Sequence, residues 1–231
     1  MIDERLIRTA ALLGEDAVHR LAGAHVLLLG LGGVGGHAFD ALLRSGVGAI
    51  TVVDFDTVSI SNLNRQLLAT QRTVGMKKTD AAVAHAAAIT EDLRLTARFE
   101  KLTPESVTAL LDGDRFDVVL DAIDDVPVKL ALAIAAASRG IALISCLGMG
   151  NRTDPTAVTL TDIAKTSDCP LAKSLRVKLR KAGIEHLPVV FSREPARPSL
   201  DPAVRVASGA CVPAAAGLAL ASAAIDRITR R

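Results

Sequence analysis

The sequence predicts an α/β fold: a doubly wound, mostly parallel sheet flanked by helices, with antiparallel strands added in the C-terminal third. Three observations carry that expectation. Short apolar runs alternate with helical stretches as far as about Gly150, the rhythm of a parallel sheet crossed by helices. The first apolar run ends in a glycine-rich turn that opens a helix. Half of the 231 residues are hydrophobic, yet only five are Phe and none is Tyr or Trp. A core of Ala, Val, Leu and Ile suits helices packed on a buried sheet.

In chain order, Asp3 to Leu21 reads as a helical lead-in. Ala24 to Gly30 (AHVLLLG) is a buried strand, GLGGVGG the turn, and HAFDALLRSG a helix with Gly46 as its stop. Ala49 to Asp54 is the second strand, and a long polar stretch follows it. Thr79 to Ile89 is helical and Leu93 to Glu100 alternates as a strand. Thr103, Pro104 and Glu105 form a helix start: an N-cap, a proline at the first position and an acid in the first turn. Phe116 to Asp124 is a further buried strand, VKLALAIAAASRG a helix and IALISCLG a strand. Beyond Gly150 the pattern changes. Thr153 to Ala164 suggests an antiparallel strand, and Leu171, Leu175 and Leu179 place one apolar stripe on a basic helix. Leu187 to Ser192 is a strand, and the Pro-rich EPARPSLDPAVRVASG reads as a mobile loop. With no linker in view, residues 1–231 are expected to form one domain, with a nucleotide-binding core over 1–150 and a substrate-side extension over 151–231.

Composition excludes several classes. Cys146, Cys169 and Cys211 form no CxxC pair, which argues against a zinc cluster, and such a sparse set fits a reducing cytoplasm. All three are expected to be small buried hydrophobes. No signal peptide is expected at the N-terminus. Ala210 to Ile225 is too short and too rich in Ala and Gly for a membrane span, and is expected to be a buried helix. The net charge of +2 gives no global argument for nucleic acid, although Lys and Arg outnumber Asp and Glu between Lys165 and Arg205.

Four sites carry chemistry. Gly30, Gly32, Gly33 and Gly35 fit G-x-G-x-x-G between a strand and a helix, where glycines let phosphate oxygens approach backbone N–H groups. Asp54, at the end of the second strand, stands where a carboxylate accepts from ribose hydroxyls; Asp56 is read first as a loop cap. The loop after it offers Asn62, Asn64, Arg65 and Gln66, followed by Lys77 and Lys78. Arg65 with Lys78 suits a triphosphate, whereas Lys77 reads as a solvated charge. In DAIDD, Asp124 is the candidate metal ligand, with Asp121 and Asp125 as structural caps or further carboxylates. A nicotinamide cofactor needs no Arg-Lys-Asp cluster beside its pyrophosphate; phosphoryl or nucleotidyl transfer does.

Together GLGGVGG, DFDTVSISNLNRQ, Lys78 and DAIDD resemble the ubiquitin-activating-enzyme superfamily with its Rossmann-like fold, including the bacterial sulfur-carrier adenylyltransferases. The resemblance implies ATP and magnesium as cofactors and transfer of AMP to a carboxylate. It assigns ribose contact to Asp54, phosphate contact to Arg65 and Lys78, and metal binding to Asp124. It also gives Arg5 and Arg8, spaced R-x-x-R, the part of an arginine that reaches the phosphates of a partner subunit in a homodimer. The C-terminal third, with TDIAKTSDCPLAKSLRVKLRKAGI and LPVVFSREP, resembles the tRNA threonylcarbamoyladenosine dehydratase branch. That branch implies tRNA as substrate, cyclisation of the modified adenosine, and Lys165, Lys173, Arg176 and Arg180 as candidate tRNA contacts. The sequence departs from the branch at Cys169 and in the loop from Arg197 to Gly209. A cysteine-desulfurase or sulfur-acceptor partner, with a role for any cysteine, stays open. So do activation of a carrier protein's Gly-Gly terminus and a non-catalytic nucleotide-binding scaffold.

Overall fold

The N-terminal lead-in is helical, as expected, and is built of two helices. In the computed structural model, which describes residues 2–167 and 169–230, a 3₁₀ turn (Glu4–Leu6) precedes α1 (Ile7–Leu13). Gly14, at φ 89°, then turns the chain into α2 (Glu15–Gly23), a backbone conformation that only glycine adopts freely. The core alternates as expected: β1 (His25–Leu29), α3 (Gly35–Arg44), β2 (Ala49–Asp54), α4 (Lys78–Ala87), β3 (Arg94–Phe99) and α5 (Pro104–Gly113). It continues with β4 (Val118–Asp121), α6 (Val126–Arg139) and β5 (Leu143–Cys146). The C-terminal third adds β6 (Val158–Asp162), α7 (Pro170–Lys181), β7 (Pro188–Ser192) and α8 (Cys211–Thr229).

Two boundaries have clear local causes. The Thr103 hydroxyl accepts the Ser106 N–H while the Ser106 hydroxyl accepts the Thr103 N–H, a reciprocal cap that starts α5. The strand expected over Phe116 to Asp124 is shorter, because β4 stops at Asp121. There the Asp121 carboxylate takes the Ile123 N–H and turns the chain out of the sheet.

The seven strands run in the order β3-β2-β1-β4-β5-β7-β6, parallel throughout except for the antiparallel β6–β7 pair. The C-terminal third therefore extends the same sheet. Central strands are buried on both faces, so they read as unbroken apolar runs. Val26 and Leu28 of β1 join the core under α2, α3, α4 and α8; Leu27 and Leu29 join the core under α5, α6 and α7. The basic helix α7 buries Leu175 and Leu179. Helix α8 is long and apolar enough to span a membrane by length and composition, but one side of it lies in the core against α3. The fit is close: a Cβ on Gly217 would lie 2.3 Å from the Val34 carbonyl oxygen.

A very tight approach lies where β1 meets α3. A Cβ on Gly35 would sit 1.8 Å from the Gly30 carbonyl oxygen, and one on Gly30 would sit 2.8 Å from the Ala122 carbonyl oxygen. Gly35→Ala should therefore destabilise the protein by at least about 1–3 kcal/mol through forced backbone movement. Gly113→Ala, at a position open to space, should be neutral or mildly stabilising. Urea unfolding of the two variants tests this; equal midpoints would refute the packing account.

Candidate functional site

The chain builds β1, β2 and β3 outward on one side, then returns to place β4 on the other side of β1. That reversal leaves a crevice beyond the carboxyl ends of β1 and β4, the usual ligand position in such sheets. A cleft of about 830 Å³ occupies it, lined by Gly30, Gly32, Gly33, Asp54, Asn62, Arg65, Gln66, Lys78, Asp124 and Asp125 among others. Residues scattered over the first two-thirds of the sequence thus converge on one cavity.

Gly35 is absent from the lining. It was expected to contact the cofactor, but its role is the close packing of α3 on the end of β1 described above. Asp54 is buried and does two things. Its carboxylate accepts the Leu31 N–H at 2.6 Å and the Asp56 N–H at 2.8 Å, so it holds the glycine turn. Its remaining lone pairs can still meet a ligand hydroxyl in the cleft. The capping expected of Asp56 is thus done by Asp54. The Asp56 carboxylate instead pairs with Lys78 Nζ at 2.7 Å. Lys78 opens α4 and is buried, with its ammonium group held at the cleft wall by Asp56. Lys77 is exposed as expected, with its ammonium 4.7 Å from the centre of the Phe99 ring.

The polar loop after β2 has its own frame. Asn62 accepts the Ser59 N–H and closes a short 3₁₀ turn. Arg65 donates from Nη1 to the Ser61 carbonyl and to Asn64 Oδ1, both at 2.9 Å. Its Nε and Nη2 make no hydrogen bond among the described residues, which leaves one edge of the fork for an anion. Gln66 is buried beside the glycine turn.

The DAIDD carboxylates separate into three roles. Asp121 is buried away from the cleft. It accepts from Lys129 Nζ at 2.8 Å and from the Ser145 hydroxyl, and Lys129 also donates to Ser145 Oγ and to the Cys146 carbonyl. It is neither exposed nor free to bind metal. Asp125 lines the cleft, but its carboxylate caps α6 through the Val128 N–H at 2.9 Å. Asp124 is exposed at the cleft and has no hydrogen bond among the described residues. No group of three His, Cys, Asp or Glu side chains suited to a metal occurs among those residues. The donor set thus fits magnesium through one carboxylate plus substrate phosphates.

Other expected residues lie elsewhere. Arg8 is exposed on α1 and lines no part of the cleft, while Arg5 is tied to Asp3 and the Leu43 carbonyl. Lys165, Lys173 and Arg180 are exposed around α7. Arg176 is partly buried and donates to the Thr166 carbonyl and hydroxyl, so it clamps α7 to the preceding turn rather than standing free. Cys146 and Cys169 are buried as expected, and burial pushes the Cys146 thiol up to about 12. Cys211, expected to be buried, is exposed at the start of α8. Sequence reasoning missed Lys129, although a lysine inside the apolar run VPVKLALAIAAAS was a signal for a buried partner. It also missed the cleft contributions of Phe55, Lys101, Gly150, Val206 and Ser208, for which local sequence offered no sign.

Comparison with known proteins places these features in context. The model of the ThiF family matches residues 4–231. A tRNA threonylcarbamoyladenosine dehydratase of Bacillus subtilis is 42% identical over 188 residues, 81% of this chain and 74% of that protein. The crystal structure of the Escherichia coli tRNA N6-threonylcarbamoyladenosine dehydratase in complex with ATP matches with a TM-score of 0.91 at 33% identity. That match covers 100% of this chain and 97% of the other. A molybdopterin-synthase adenylyltransferase of Salmonella typhimurium is 39% identical, but over only 57% of this chain.

Lys129→Met would leave Asp121 as an unpaired buried carboxylate beneath the cleft. The expected cost is about 3–5 kcal/mol in urea unfolding; a loss below about 1 kcal/mol would show that the pair does not hold β4, β5 and α6 together.

Proposed function

The chain belongs to the ThiF family, and we propose that it is an ATP-dependent dehydratase acting on threonylcarbamoyladenosine in tRNA. The observation that carries this reading is that Asp54, Arg65, Lys78 and Asp124 meet in one cleft of a chain similar along its whole length to an ATP-binding dehydratase. The substrate's threonyl carboxylate is a poor electrophile. Transfer of AMP to it gives a mixed anhydride and releases pyrophosphate. The neighbouring carbamoyl unit then attacks the activated carbonyl, closes a ring and expels AMP. The net change in the tRNA is loss of one water. Because the attack is intramolecular, proximity supplies much of the rate and no protein nucleophile is required.

Each residue has a distinct task in this reading. Asp54 accepts from the ribose. The free edge of Arg65 and the Lys78 ammonium hold phosphate oxygens and stabilise the charge that develops on them. An incoming phosphate competes with Asp56 for Lys78. Asp124 holds magnesium, which when bound neutralises triphosphate charge. The exposed Lys165, Lys173 and Arg180 meet the tRNA backbone, which makes affinity fall with salt. Arg8 does not line its own cleft, so its part requires a homodimer in which it reaches the partner's phosphates. The substrate and the cysteine usage suit the cytoplasm. Any sulfur-acceptor partner would find only Cys211 exposed among the described cysteines. The runner-up, activation of a carrier protein's Gly-Gly terminus, is supported by the shorter adenylyltransferase match.

Incubated with ATP, magnesium and threonylcarbamoyl-modified tRNA, the protein should convert the modified adenosine to a product lighter by one water, read by nucleoside mass spectrometry. No mass change, with AMP appearing instead on a Gly-Gly carrier, would favour the runner-up. Lys78→Ala should lower turnover by at least about 100-fold with the circular dichroism spectrum retained. If Arg8 acts across a dimer, mixing inactive Arg8→Ala and Lys78→Ala proteins should restore roughly a quarter of wild-type activity, because each mixed dimer keeps one intact site. No recovery would confine Arg8 to its own chain.

A further inference from the structure

Asn64 occupies a place that no role described so far requires. Its Oδ1 accepts from Arg65 Nη1 at 2.9 Å, while its Nδ2 donates to the Ser208 carbonyl at 2.8 Å. The two bonds agree on one orientation of the amide, since the guanidinium can only donate and the carbonyl can only accept. Ser208 belongs to the irregular segment 193–210 that returns from β7 to α8. On the β5 side that segment is held by Asn151, which exchanges two bonds of 2.7 Å with the Ala207 backbone and donates Nδ2 to the Arg205 carbonyl. Asn151 takes φ 61° to do this, a conformation that asparagine tolerates better than most residues. Val206 and Ser208 line the cleft between these two anchors. The segment therefore crosses the cleft wall as a strap, and its bond on the β2 side is to the residue that also holds Arg65.

We propose that Asn64 is a positioning residue for the adenylation step, coupling the strap around Ser208 to the phosphate-binding Arg65. With Nη1 engaged by Asn64 and the Ser61 carbonyl, the guanidinium loses its freedom to rotate and keeps Nε and Nη2 for the triphosphate. Nothing else among the described residues joins the strap to that arginine through hydrogen bonds. The same bridge makes the coupling reciprocal: ATP that orders Arg65 steadies Asn64, and Asn64 steadies the strap. This inference rests on the ATP-binding reading above.

The test is ATP binding to the wild-type protein, Asn64→Ala, Arg65→Ala and the double variant. Asn64 is exposed, so the fold should survive the substitution, with an unchanged melting temperature as the check. Asn64→Ala should weaken ATP binding about three- to tenfold when Arg65 is present and have no effect when Arg65 is already Ala. An equal factor in both backgrounds, or no weakening in either, overturns the proposal while leaving the ATP reading intact. Failure of the wild-type protein to bind ATP overturns both. Trypsin cleavage after Arg205 gives a second readout. ATP should slow it in the wild-type protein, and that protection should be lost in Asn64→Ala; protection that persists in the variant overturns the coupling.

Discussion

The near-contact of Gly35 with the Gly30 carbonyl, where the start of α3 is pressed against the end of β1, is the constraint on which the rest of the site depends. No side chain fits there. The approach aims the N-terminal end of α3 at the crevice, where unsatisfied N–H groups favour an anion. It also sets the glycine turn within reach of Asp54, whose carboxylate then takes the Leu31 N–H. On the other flank the Ala122 carbonyl abuts Gly30, so β4 and its acidic loop are located by the same contact. One steric condition thus aligns the N-terminal end of α3, Asp54 and the loop bearing Asp124.

Beneath this, the site is held by charges that are satisfied before any ligand arrives. The Asp121–Lys129 pair is buried and its hydrogen bonds are complete. A buried pair of this kind adds little net stability but is costly to break, which suits a part whose geometry must not drift. The pair Lys78–Asp56 is different. It lies at the cleft wall with Asp56 half exposed, so the lysine can exchange a carboxylate oxygen for a phosphate oxygen at small desolvation cost. In DAIDD, by comparison, Asp121 serves the frame, Asp125 caps a helix and Asp124 stands exposed at the cleft.

The C-terminal third does more than extend the sheet. Through β7 it pairs with β5, through α8 it closes one face of the core, and through the segment around Ser208 it reaches back to Asn64 in the polar loop after β2. Regions far apart in sequence thereby become neighbours at a single cleft.

Much of the fold was legible in the sequence because its causes are local. Strand runs, the glycine turn, the Thr103 cap and the leucine stripe of α7 follow from backbone sterics, capping chemistry and side-chain periodicity, which act within a few residues. The cleft residues were legible for a related reason: Asp54 and Asp124 stand at or just past the ends of β2 and β4, and Arg65 and Lys78 belong to the connection from β2 into α4, beside the strand ends where ligands bind. What the sequence could not decide was the partner of each polar group. Asp121 and Asp125 look alike in DAIDD, and only the packing of α6 over β4 and β5 buries one with Lys129 and leaves the other to cap a helix. Gly35 looked like a phosphate residue until the approach of two backbones made it a packing residue, and Arg176 looked free until Thr166 lay beneath it. Asn64 took its role from Ser208, a residue brought beside it only by the closed tertiary structure. Periodicity and spacing determined the elements and the site's location. Long-range register decided the pairings, because a hydrogen bond or ion pair depends on distances that no local pattern encodes.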